Sequence, residues 1–168
     1  PFQEILFPCV CYASQRISEP ISQSYLKVLS ENALTCLEES LLRRLSDITF
    51  SAMNYEFTLF KAVRQSSIER LLMNTEKSTS DGMYKNFVSN MLNGDFIEFL
   101  NQYPVLARLI SQTVEMWIET VVEFTTRLRN DLPLINESFA KEMDLGKVEE
   151  IETDLSDRHR NGRTVLML

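Results

Sequence analysis

The chain has 168 residues, 44% hydrophobic and 24% charged, with only 4 Gly and 5 Pro; that length suits one domain or a domain fragment with a real core, and the composition excludes a disordered or fibrous chain. A formal net charge of -7, from 24 acidic against 17 basic residues, argues against a broad phosphate-binding surface, so no nucleic-acid partner is expected.

The opening PFQEILFPCVCYAS has no basic n-region and is interrupted by Pro8, so no signal peptide is expected, and no segment is apolar over enough length to span a membrane. Cys9, Cys11 and Cys36 lie in apolar stretches without a neighbouring histidine, and are read as reduced core thiols of a cytoplasmic protein. The sequence starts at Pro1 rather than Met, and both ends are read as cut.

In chain order, residues 8–18 read as a short helix with Pro8 in its first turn and Pro20 closing it. From 30 to about 63 the apolar positions Leu34, Leu37, Leu41, Leu45, Ile48, Ala52, Tyr55, Leu59 and Val63 are spaced by three and four with no Gly or Pro between them. That pattern predicts one helix of roughly 50 Å. One or two helical turns are expected at 68–73, and the polar run 74–82 reads as a mobile surface loop. MYKNFVSNMLNG and DFIEFLNQYP read as two short amphipathic helices separated at Gly94, the second ended by Pro104.

Pro104 suits the first turn of a second long helix, striped by Leu106, Ile110, Val114, Trp117, Val121, Phe124 and Leu128 and stopped at Pro133. The two long stripes are expected to pack on each other, antiparallel. A short helix follows near 134–140, and the periodicity then changes: Val148 and Ile151 flank acidic residues, and 164–168 is short and apolar. Strands near 147–152 and 163–168 are expected, the start of a β-hairpin. The fold class is therefore mainly α, a helical scaffold over 1–145 with the beginning of a second layer at 146–168.

Glu115, Glu119 and Glu123 recur on one helix face and Glu56 interrupts the first long stripe. Carboxylate-bridged metal sites in bundles need Glu-x-x-His pairs, and the one histidine lies in the tail, so no metal site is expected and the acidic face reads as solvated. Glu56 is expected to satisfy a buried Arg or backbone group. Phe57, Phe60, Trp117 and Phe124 read as core packing. No serine sits in a nucleophile elbow, and there is no Walker loop.

The tail carries the densest chemistry. Asp157, His159, Gly162 and Arg163 fall between the two expected strands. A strand, a polar turn with Gly and a strand is how kinase-type enzymes lay a loop over nucleotide phosphates. Asp157 and His159 offer an acid/base pair, and Arg163 a fork for phosphate oxygens; a solvated hairpin turn is the other reading of the same residues.

LSDRHRNGRTVLML at 155–168, with QYPVLARLISQTVEMWIETVVEFTTRL and EESLLRRLSDITFSAMNYEFTLFKA before it, closely resembles the dehydratase part of class II lanthipeptide synthetases, the bacterial LanM family. The likeness runs from about Phe7 to Leu168, and its most specific piece is Ser-Asp-x-His-x-x-Gly-Arg-Thr-Val. The resemblance implies a dehydratase related in fold to lipid kinases, which uses ATP and Mg²⁺ to phosphorylate Ser/Thr of a precursor peptide and then eliminates phosphate. It also implies a separate zinc cyclase that adds Cys thiols to the dehydro residues.

On that resemblance Asp157 and His159 match an active-cleft pair, and Gly162 and Arg163 complete the loop that opens a kinase-like N-lobe. The implied partners are the precursor peptide and the rest of the synthetase. The nucleotide lysine, the catalytic-loop Asp and Asn, the metal-binding Asp and the zinc ligands have no counterpart in this sequence, so these residues alone are expected to be inactive and to hold no cofactor. The alternative is a free-standing helical interaction module without catalysis.

Overall fold

A computed structural model describes residues 1–21, 28–68, 80–140, 146–153, 155 and 164–167. The protein is mainly helical. In order come α1 (Gln3–Ile21), α2 (Glu31–Ile68), α3 (Ser80–Asn90), a wide π-turn (Met91–Asp95), α4 (Phe96–Gln102), α5 (Pro104–Ile135) and a second π-turn (Asn136–Ala140). Among the described residues no helix is long and apolar enough to cross a membrane.

Two prolines expected to bound helices lie inside them. Pro8 has no N–H to donate and its ring crowds the preceding turn, yet α1 starts at Gln3. Burial explains this: Ile5 and Leu6 before Pro8, and Val10, Ala13 and Ile17 after it, are all buried, so both halves gain from staying helical. Pro133 likewise sits within α5, which continues to Ile135 and into the π-turn rather than stopping for a new helix. The split at Gly94 is as expected: its φ of 133° lies where L side chains are strained, and the backbone kinks there between α3 and α4. Of the polar run 74–82, Ser80, Asp81 and Gly82 are helical within α3. The remainder, with 69–73, lies outside the described residues.

The chain divides into two compact units, Pro1–Phe7 with Leu45–Ile110, and Pro8–Arg44 with Ser111–Leu168. In the first, Phe2 packs edge-on to Phe57 and Phe87 at ring-centroid distances of 5.9 and 5.8 Å, and Phe60 meets Phe87 at 5.5 Å. Phe2 is buried at a φ of 64°, a conformation costly for a bulky residue and offset here by aromatic packing. In the second unit Ile110's successors along α5, Val114, Trp117, Val121 and Leu128, are buried, as the stripe predicts. Trp117 is 4% exposed, and its indole Nε1 donates to the Leu37 carbonyl at 3.2 Å.

The α2 stripe is corrected. A buried row runs through Ala33, Leu37, Leu41, Leu45, Thr49 and Met53, one every four residues, with Ser40 also buried beside Leu41. At about 100° per residue, each step of four turns the buried face by roughly 40°, so by Met53 it has left the straight stripe. Tyr55, Leu59 and Val63 are therefore 57%, 42% and 66% exposed. Among the cysteines, Cys9 and Cys36 are half-buried, but Cys11 is exposed rather than a core thiol; burial pushes the Cys9 thiol pKa up.

Candidate functional site

The second unit builds a seat for the tail. Ser30 caps α2, its hydroxyl accepting from the Ala33 N–H at 3.1 Å. The same hydroxyl donates to the Glu149 carbonyl at 3.1 Å, and Asn32 Nδ2 donates to that carbonyl at 2.9 Å. A parallel bridge joins Leu29 to Val148, with the Val148 N–H donating to the Val28 carbonyl at 2.8 Å and the Ser30 N–H to the Val148 carbonyl at 2.9 Å. Val28, Leu29 and Ile151 are buried. The head of α2 thus fixes the segment that feeds the tail.

Beyond it, Glu152 and Met167 form an antiparallel bridge, exchanging backbone hydrogen bonds of 2.9 and 3.1 Å. The Leu155 N–H donates to the Val165 carbonyl at 3.4 Å, one residue out of register with the first pair. A ladder needs consecutive pairs in one register, and among the described residues no strand forms where strands at 147–152 and 163–168 were expected. Asp157, His159, Gly162 and Arg163 lie outside the described residues; the described flanks on either side of them, Glu152 and Leu155 before and Val165 and Met167 after, are paired.

Thr164 and Leu166 line a groove of about 340 Å³ with Thr120, Phe124, Leu128 and Ile135 of α5. Its charged side chains are Asp131 and the ion pair of Glu123 with Arg127. Thr164 and Leu166 therefore lie along α5, on the helix whose stripe is straight. Glu119 and Glu115 are exposed, and among the described residues no three His, Cys, Asp or Glu side chains converge in a way that could hold a metal ion.

The first unit holds two carboxylate–tyrosine pairs that the sequence reading missed. Glu56 is satisfied not by an arginine or backbone group but by Tyr103, whose hydroxyl donates to Oε1 at 2.7 Å, with Gln102 Nε2 at 3.5 Å. That hydrogen bond, then burial and the Glu56 charge, push the Tyr103 pKa up to about 12. Tyr84 donates to Glu4 Oε2 at 2.9 Å and accepts from the Phe2 N–H at 2.8 Å; its pKa is raised, by burial first and then by Glu4, against the lowering effect of the Phe2 N–H. Glu56 interrupting an apolar stripe was the one available signal, and it did not name the partner.

Residues 103–168 match the family model of a domain of unknown function, DUF4135. The match takes in α5, the segment 146–153 that rests on the head of α2, and the tail, and leaves α1 to α4, the head of α2 included, outside it. No curated protein matches the chain.

Proposed function

We propose that the chain is the helical scaffold and opening hairpin of a LanM-type peptide dehydratase, an enzyme that phosphorylates Ser/Thr of a precursor peptide and eliminates phosphate to leave dehydroamino acids. The observation that carries the reading is the DUF4135 match over residues 103–168: the domain is found in LanM-type synthetases, and the same stretch holds the Ser-Asp-x-His-x-x-Gly-Arg-Thr-Val resemblance. The pairing of Glu152 with Met167 supports taking 147–168 as a hairpin that opens a kinase-like N-lobe, with the Asp157–His159 motif in its turn.

In this reading the residues divide the work by chemistry. His159 gives or takes a proton near neutral pH, Asp157 holds the imidazole in one orientation, and Arg163 forks onto phosphate oxygens of the phosphopeptide. α5 and the head of α2 serve as the rigid support that a catalytic loop needs. The lysine and metal-binding carboxylates that would hold ATP and Mg²⁺ have no counterpart among these 168 residues; ATP supplies the phosphoryl group when bound.

The test uses the whole gene product that carries these residues, incubated with ATP, Mg²⁺ and Ser/Thr-containing precursor peptides, and read by mass spectrometry. Loss of one water per modified Ser or Thr, only with ATP present, is the expected result. A peptide left unchanged under conditions where the protein is folded and binds it would overturn the reading in favour of a non-catalytic interaction module.

A further inference from the structure

We propose that the groove between α2 and the α3–α4 arm in the first unit docks a basic amphipathic helix. The groove, about 430 Å³, has an apolar floor made by Phe60, Phe87, Met91 and Phe99. One wall is the stretch of α2 that the turning core face has left uncovered: Leu59 and Val63, one helical turn apart, are 42% and 66% exposed. Two apolar side chains at i and i+4 beside an aromatic floor are the receiving half of a helix-in-groove contact, read by a partner through anchors at the same spacing.

Charge selects the partner. Asp95 and Glu98 line the opposite side and are exposed, and Glu56 lies in the same groove with its carboxylate already accepting from Tyr103 and Gln102. The one described cation of the lining, Arg64, is held over the Phe60 ring at 4.6 Å from its centroid. The wall thus offers two carboxylates that are unengaged among the described residues, beside an apolar floor, in a chain of net charge -7, which attracts a helix with Lys or Arg flanking its apolar face and repels an acidic one. The inference rests on this geometry alone and does not depend on the dehydratase reading.

The test is fluorescence anisotropy on the full chain with two labelled synthetic helices that share the same Leu positions, one carrying Lys at every polar site and the other Glu. The Lys helix is expected to bind, more weakly as salt rises, and the Glu helix not to bind. Reversing the wall in the double variant D95K/E98K should weaken the Lys helix by about tenfold or more, and Val63→Asn, an uncharged change at an exposed position that does not threaten folding, should also weaken its binding. The control E115K/E119K, on the exposed acidic face of α5, makes the same change in net charge and should leave affinity within about twofold. Equal binding of the Glu helix, an unchanged D95K/E98K, an equal loss in E115K/E119K, or self-association of the chain without peptide binding would each overturn the proposal.

Discussion

α2 and α5 carry apolar stripes that look alike in sequence, and the protein treats them differently. In α5 the buried apolar positions, Ile110, Val114, Trp117, Val121 and Leu128, follow steps of four, three, four and seven and stay on one face. In α2 a buried row advances by four at every step from Ala33 to Met53, with Ser40 buried beside it, so the buried face winds around the helix. The same kind of residue is then core at Leu41 and solvent-facing at Leu59. Periodicity reports that a helix has an apolar side; which side is covered depends on what packs there. One stripe supports the tail seat, and the other opens a groove.

The comparison is broken most sharply at Trp117, which is buried and donates its indole N–H to Leu37. Trp117→Ala should cost about 3–5 kcal/mol, through the loss of a large buried aromatic. Chemical denaturation gives the value, and a loss below about 1 kcal/mol would mean that the straight stripe is not core. Next come paired truncations on α2: Met53→Ala, at a fully buried site, should cost about 2–5 kcal/mol, and Leu59→Ala within about 0.5 kcal/mol of zero. Similar costs at both would mean that the buried face runs straight after all.

Ser30→Ala removes the α2 cap and a tie to Glu149 together. About 1 kcal/mol is expected, with faster hydrogen exchange at the Ala33 amide; an unchanged amide would show the cap to be incidental.

The smallest effect is electrostatic. Tyr103 keeps its proton to about pH 12 because Glu56 accepts its hydrogen bond, whereas an unfolded tyrosine ionises near 10. A raised folded pKa stabilises the protein fully below pH 10 and loses that contribution as pH rises through about 12. A tyrosinate absorbance titration of wild type minus Tyr103→Phe should show its step near that upper value; a step near 10 would remove the bond from solution.

Local signals carried much of this fold. The straight stripe of α5, the break at Gly94 and the long uninterrupted run of α2 are all written in short-range spacing. What escaped depends on distance along the chain. Pro8 read as a helix start and Pro133 as a stop because propensity is local, whereas burial on both sides of Pro8 keeps α1 continuous. The partner of Glu56 is 47 residues away and that of Ser30 is 119 away, beyond any periodicity. The tail motif was legible only as a motif: its flanks are paired at Glu152 and Met167, while 147–152, expected as a strand from Val148 and Ile151 between acidic residues, makes only isolated bridges among the described residues.

The central claim is that the Asp157–His159 turn performs chemistry on a phosphopeptide, and His159→Ala in the whole gene product tests it most directly. With folding matched by circular dichroism, the account predicts that dehydration of the precursor, followed by mass spectrometry, falls by about 10²-fold or more. Accumulated phosphopeptide would assign His159 to elimination, and untouched peptide to phosphoryl transfer. Full dehydration at the wild-type rate would contradict the account and leave the tail a solvated turn.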